Sequence, residues 1–168
     1  MSGYHKNEIY ALLREKGITY EAVEHEAVFT MEEMERAGID RHGCICKNLF
    51  LRDAKGKQHF LVTVPDERRV DLKWLSEALG TSKLSFASAE RLDKYLGVPQ
   101  GSVSPFGILN DESRSVLFAA DKALTSLPVI GVHPNDNTAT VFLSFADLRS
   151  IIEEHGNAVS LLRFPDAE

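Results

Sequence analysis

Cysteine, continuous apolar runs and an excess of positive charge are all in short supply in this chain. The two cysteines, Cys44 and Cys46, stand in a C-x-C spacing too tight for an easy disulfide, and no second pair completes a zinc site. A stapled secreted scaffold and a zinc ribbon are thereby excluded, and a reducing cytoplasm is the expected location. No apolar run approaches the roughly 20 residues that cross a bilayer. The stretch from Met1 to Lys16 mixes charge with apolar residues and lacks the apolar segment of a signal peptide, so neither a membrane partner nor export is expected. Lysine and arginine number 19 against 25 aspartate and glutamate, a formal net charge of −6 over 168 residues. Such a balance argues against broad, nonspecific nucleic-acid binding, although a local basic groove could still grip one end of an RNA.

Familiar catalytic and cofactor signatures are missing as well. The histidines at 5, 25, 42, 59, 133 and 155 are scattered, with no H-x-x-x-H or H-E-x-x-H spacing, so no metal is expected. There is no G-x-S-x-G nucleophile elbow, no Walker loop and no dinucleotide fingerprint, so no cofactor is expected.

What is present is a steady alternation of element signals. Ile9, Leu12 and Leu13 recur at helical spacing, which predicts a helix over 5–16 stopped by Gly17. Thr19 to Val23 is short and β-prone. Thr30 precedes Met31-Glu32-Glu33 as an N-cap with Glu33 in capping-box position, for a helix running to about Ala37. CICKNLFLR over 44–52 and HFLVTV over 59–64 read as a hairpin around the turn at 53–56. Helices are expected over 71–79 and 88–96, closed by Gly80 and Gly97. Further strands are expected over 116–120, 127–132 and 138–143. A last helix, capped by Ser144, should run over 145–154, with an edge strand over 159–162. Strands and helices intersperse without strict alternation. The expected fold class is α+β: a single domain over 1–168, with a mixed, barrel-like sheet surrounded by helices. Nothing in the pattern speaks to oligomeric state.

Three segments could carry chemistry. Lys47-Asn48 interrupts an apolar strand; alternation puts Lys47 and Leu49 on one face, Asn48 and Phe50 on the other. A lysine there wants an anionic partner, although an edge lysine snorkelling to water would look the same. Gly101-Ser102-Val103-Ser104-Pro105-Phe106-Gly107 is a shaped loop whose backbone N–H groups could cradle an anion or a carbonyl, or a plain connector. His133-Pro-Asn135-Asp136-Asn137 clusters polar side chains at a turn before a strand, where they could orient a ligand or serve as Asx-turn chemistry.

Read together, Lys47-Asn48, the stretch KLSFASAERLDKYLGVPQGSVSPFG from Lys83 and GVHPNDNTATV from Gly131 resemble the YbaK/ProX prolyl-tRNA editing family, over Thr30 to the last helix. The resemblance is closer to its stand-alone members than to the insertion domain of prolyl-tRNA synthetase. It implies an aminoacyl-tRNA deacylase that clears mischarged tRNA, Ala-tRNA(Pro) first, with no metal and no covalent nucleophile. The residues it marks as catalytic are Lys47, Asn48, Gly101 and His133. Ser102 to Gly107 and Asn135 would bind substrate, and Arg68, Arg69 and Lys73 would meet the tRNA acceptor end. The implied partners are aminoacylated tRNA and, in second place, prolyl-tRNA synthetase. Alternatives are a deacylase for Cys-tRNA(Pro) or another mischarged tRNA, and a non-catalytic tRNA- or synthetase-binding module.

Overall fold

A computed structural model describes residues 3–27 and 30–165. The first helix, α1 (Lys6–Glu15), is as amphipathic as its spacing suggests, with Ile9 and Leu13 fully buried. Removing each such side chain from water contributes roughly 1.5–3 kcal/mol. Strand β1 (Glu21–Glu24) follows. Helix α2 (Met31–Arg36) starts at Thr30, whose hydroxyl accepts from the Glu33 N–H at 3.2 Å. A short 3₁₀ turn, Ile39–His42, leads into β2 (Cys44–Arg52), which forms a hairpin with β3 (His59–Pro65). Helix α3 (Leu72–Leu79), the two-residue β4 (Ser85–Phe86) and α4 (Ala89–Leu96) come next. After them lie a 3₁₀ segment Pro105–Asn110, β5 (Leu117–Asp121), a 3₁₀ turn Lys122–Ser126, β6 (Ile130–Val132), β7 (Ala139–Leu143), α5 (Phe145–His155) and β8 (Val159–Leu162).

One mixed sheet joins all eight strands in the order β1-β7-β6-β2-β3-β5-β8, with β4 pairing beside β2. Helices α1, α4 and α5 and the 105–110 segment pack on one face, against Cys46, Phe50, Leu61, Phe118, Ile130 and Val141. On the other face Leu51, Phe60, Val62 and Val64 meet α3 and Phe164, while Ile45 and Phe142 meet Met34 and Ile39. The α+β architecture with a mixed sheet flanked by helices is therefore as the sequence predicts. The 3₁₀ segment at 105–110 is a departure from the expected loop. Ser104 caps it and Pro105 opens it, pulling Pro105, Phe106 and Gly107 into the core.

The feature that positions the site is a split beside β2. Its parallel pairing with β6 ends at Ile45↔Gly131, and its antiparallel pairing with β4 begins only at Leu51↔Phe86. The main chain of Ile45 faces β3, where its carbonyl accepts from Asp66 N–H, and that of Phe50 faces β4, where its carbonyl accepts from Ala87 N–H. Alternation then turns the N–H and C=O of Asn48 into the split. Among the described residues nothing pairs with them.

Candidate active site at the sheet split

Two residues beyond the last β2–β6 pair, parallel register carries Lys47 level with His133. Lys47 is half-buried beside Leu49 on the face that holds Ile45 and Leu51, as strand alternation predicts. Gly131 makes this approach possible: a Cβ there would stand 2.6 Å from the Phe142 ring and 3.0 Å from Ile45 Cδ1. His133 then leaves the strand, and its Nδ1 lies 2.8 Å from the Ala139 carbonyl. A carbonyl only accepts, so Nδ1 carries the proton and Nε2 presents a lone pair. Burial holds the imidazole below its ordinary pKa, opposed in part by that carbonyl, which keeps the ring neutral at pH 7. The ring of His25 lies 6.3 Å away, centroid to centroid, and its Nε2 is 2.9 Å from Thr140 Oγ1. Beyond His25, Glu26, Ala27, Glu33, Arg36 and Ala37 line a hollow of about 400 Å³.

The 101–107 loop is tied directly to this turn. The Ser104 hydroxyl, fully buried, donates to the His133 carbonyl and accepts from the Phe106 N–H at 3.1 Å. The expected loop with exposed N–H groups is realised only in part. Ser102 N–H bonds the Pro99 carbonyl and Gly107 N–H the Ser104 carbonyl. Ser102, Ser104, Pro105, Phe106 and Gly107 are buried, and Val103 is half-buried against the core. The loop N–H groups without a partner among the described residues are those of exposed Gly101, of Val103 and of buried Ser104. Gly101 has φ 93, a left-handed turn that disfavours a side chain.

Three further expectations change with the structure. Asn48 lies on the face opposite Lys47, as alternation predicts, but its side chain is taken up there, accepting from Thr63 Oγ1 at 2.6 Å, so what it offers at the split is its main chain. Asn135, expected on the substrate, is buried; its Nδ2 donates to the Tyr4 carbonyl at 2.7 Å with the backbone at φ 61. Asn110 also reaches Tyr4, accepting from its N–H at 2.6 Å and donating to its carbonyl at 3.2 Å. A closed circuit of hydrogen bonds and main chain therefore runs from Tyr4 to Asn110, along the 105–110 segment to Ser104, across to His133, along the chain to Asn135 and back to Tyr4. Arg68 is no free tRNA contact: it pairs with buried Asp121, donates to the Pro165 carbonyl and stacks over Phe164. Arg69 and Lys73 are exposed.

His25 and the Tyr4 clamp carry no local sequence signal, and Thr140 lies within the GVHPNDNTATV stretch without being singled out. They reach the site only through the β1–β7 register and the docking of α1. Among the described residues no group of three or more His, Cys, Asp or Glu is placed to hold a metal ion. No described helix is long and apolar enough to cross a membrane.

Comparison with known proteins agrees with the residue-level resemblance. The aminoacyl-tRNA editing domain family matches residues 25–151, well over half of the chain. A prolyl-tRNA editing protein ProX of Acetoanaerobium sticklandii is 50% identical over 90% of this chain and 93% of its own length. A prolyl-tRNA synthetase associated domain-containing protein 1 of Danio rerio is 36% identical over 95% of this chain and 87% of its own. A solved candidate trans-editing enzyme for prolyl-tRNA synthetase superposes with a TM-score of 0.72 at 22% identity, over 98% and 99% of the two chains, and shares the fold. The chain belongs to the aminoacyl-tRNA editing domain family.

Proposed function

We propose that this member of the aminoacyl-tRNA editing family is a trans-acting deacylase that hydrolyses the ester of mischarged tRNA(Pro), with alanine as the amino acid removed. The observation that carries the reading is the 50% identity, across 90% of the chain, with a protein named for prolyl-tRNA editing. The bond from Ser104 to the His133 carbonyl, with Lys47 two residues past the pairing of the neighbouring strand, is in keeping with it.

An aminoacyl ester is already activated, so the site needs to hold the carbonyl, stabilise the oxyanion and admit water. Main-chain N–H groups of Gly101 and Val103 are suited to the oxyanion because the loop is fixed before reaction; one such donor is typically worth about a hundredfold or more in rate. The Lys47 ammonium neutralises the phosphate of the terminal nucleotide or the developing charge. Nε2 of neutral His133 accepts a proton-bearing partner, either the attacking water or the vicinal ribose hydroxyl that orients it. Water adds to the carbonyl carbon, the ester C–O bond breaks, and the departing ribose oxygen takes the proton. Specificity follows from size: a cavity that fits alanine excludes ring-closed proline by clash, which can exceed the ~1–3 kcal/mol that separates substrates by a methylene. The enzyme would act in the cytoplasm, where tRNA is charged, and prolyl-tRNA synthetase is the partner suggested by the names of the vertebrate relatives.

The deciding experiment is a deacylation panel with purified protein on Ala-, Cys-, Ser- and Pro-tRNA. Fast release from Ala-tRNA(Pro) with Pro-tRNA(Pro) spared is expected. Preferential release of cysteine would replace alanine as the substrate. Rapid hydrolysis of Pro-tRNA(Pro) would contradict size exclusion, and no turnover on any member would leave a binding module.

A further inference from the structure

Phe86 is the one large apolar side chain among the described residues that is strongly exposed, at 62%. It sits on β4, the strand that closes the far end of the split, and it is the cross-strand partner of Leu51. Cross-strand partners point to one face, and alternation along β2 puts Lys47, Leu49 and Leu51 on that same face. Leu51 is four residue steps along the strand from Lys47, about 13 Å at the usual rise.

The surroundings of Phe86 are basic in a chain that is acidic overall. The hairpin turn carries Lys55 and Lys57, and Lys83 lies just before β4; all three are exposed, and none makes an ion pair among the described residues. Neighbouring residues tie the turn to this edge: Ala54 N–H donates to Ser82 Oγ at 3.0 Å, Arg91 Nη1 of α4 donates to the Gly56 carbonyl at 3.0 Å, and Arg52 pairs with Ser85. The acid within the turn, Asp53, is occupied by the N–H groups of Lys57 and Gln58. An exposed aromatic ring flanked by unpaired ammonium groups is the combination that holds an unpaired nucleotide, the ring stacking on the base and the lysines meeting its phosphates.

We propose that Phe86 is a stacking platform for an unpaired base of the tRNA acceptor end, inward of the terminal adenosine, with Lys55, Lys57 and Lys83 on the adjoining phosphates. The inference rests on the deacylase reading and says where the rest of the RNA lies once its charged end is at Lys47. It gives this acidic protein a local basic track of the kind its composition leaves room for.

The test compares wild type with Phe86→Ala, Phe86→Trp and a triple variant in which Lys55, Lys57 and Lys83 become Glu. Each is assayed on alanyl-tRNA(Pro) and on the alanyl ester of adenosine alone, with thermal melting as a check of the fold. Phe86→Ala should raise KM for the tRNA roughly tenfold with kcat retained, the loss expected for one stacked base. Phe86→Trp should restore it, and the adenosine ester should be cleaved equally by all. The triple variant should also raise KM, and its salt dependence should flatten by about 0.7 in log–log slope for each phosphate that is no longer neutralised. An unchanged KM in Phe86→Ala, a failure of Phe86→Trp to rescue, or an equal loss on the adenosine ester would overturn the proposal. So would a wild-type dimer abolished by Phe86→Ala, which would assign the patch to a second copy of the chain. If wild type cleaves neither ester, the deacylase reading fails. Anisotropy with uncharged tRNA then judges Phe86 by itself: weaker binding by Phe86→Ala supports the platform and equal binding removes it.

Discussion

Replacing Ser104 by alanine tests the link between the loop and the histidine turn. The hydroxyl is fully buried and makes two bonds, accepting from the Phe106 N–H and donating to the His133 carbonyl. Removing it leaves a buried donor and an acceptor in a half-buried residue without partners. A buried group left unsatisfied typically costs about 1–3 kcal/mol, and the lost 3₁₀ cap is the Phe106 term counted once, so the two together come to about 2–6 kcal/mol. For a chain of this size each kcal/mol lowers Tm by roughly 2–4 °C, so a drop on the order of 10 °C is expected. Thermal unfolding measures that part. The second part is functional. At a temperature where both proteins are folded, Ser104→Ala should lose deacylation through kcat, because His133 and Gly101 are no longer held in one frame. Full activity in a folded Ser104→Ala protein would refute the idea that this bond sets the geometry of the site. A Tm unchanged from wild type would refute the burial argument behind the magnitude.

Other perturbations separate chemistry from support. Lys47→Ala should reduce deacylation by about a hundredfold or more, as loss of a charge-stabilising group does, with an unaltered melting curve; a wild-type rate would remove Lys47 from the mechanism. The folded-state pKa of His133 lies below its ordinary value near 6.5, so the neutral ring persists as pH falls past that value. kcat/KM should therefore stay level from pH 7.5 down through 6.5 and decline only below it, and an acid limb centred above 6.5 in the rate profile would contradict the neutral assignment. His59 is also depressed, by burial first and then by Arg91. Folding stability from both histidines should be complete above the unfolded pKa and fall as pH drops through the lower folded values, which denaturant unfolding between pH 7.5 and 5 would show. Arg68→Ala should be strongly destabilising, about 3–5 kcal/mol for a broken buried pair, because Asp121 is left 2% exposed without its cation. Its KM for tRNA, measured while folded, should not move.

Caps and periodicity make most of the elements legible in the sequence. Thr30, Asp71, Ser88 and Ser144 each accept a bond from the first turn of their helix, and Gly80, Gly97 and Gly156 end theirs in the left-handed conformation. These signals are local, so single residues announce them. The segment at 105–110 is not legible in the same way. A Gly/Ser/Pro run reads as a loop, and what winds it into a 3₁₀ turn is the burial of Phe106 and Ile108 under α4 and α5, a tertiary effect. The site shows the same division. The presence of Lys47, the bend at Gly101 and His133 can be read from residue types and spacing. Their relative placement cannot, because it depends on β2 and β6 pairing in parallel across a long stretch of intervening chain and on Ser104 bonding the His133 carbonyl.

Arg68 and Asn135 show why residue type misleads where long-range partners decide. An arginine in a turn after a strand looks like a surface cation, until Asp121 on β5 takes up its charge. An asparagine in a polar turn looks like a ligand group, until the N-terminal segment arrives to accept from it. Tyr4 lies outside the stretch that the editing family matches, yet it bonds to both asparagines that flank the site, one at each end of the Ser104–His133 link. The architecture thus braces the Gly101 bend and His133 through a segment whose hydrogen bonds go to Asn110 and Asn135 instead.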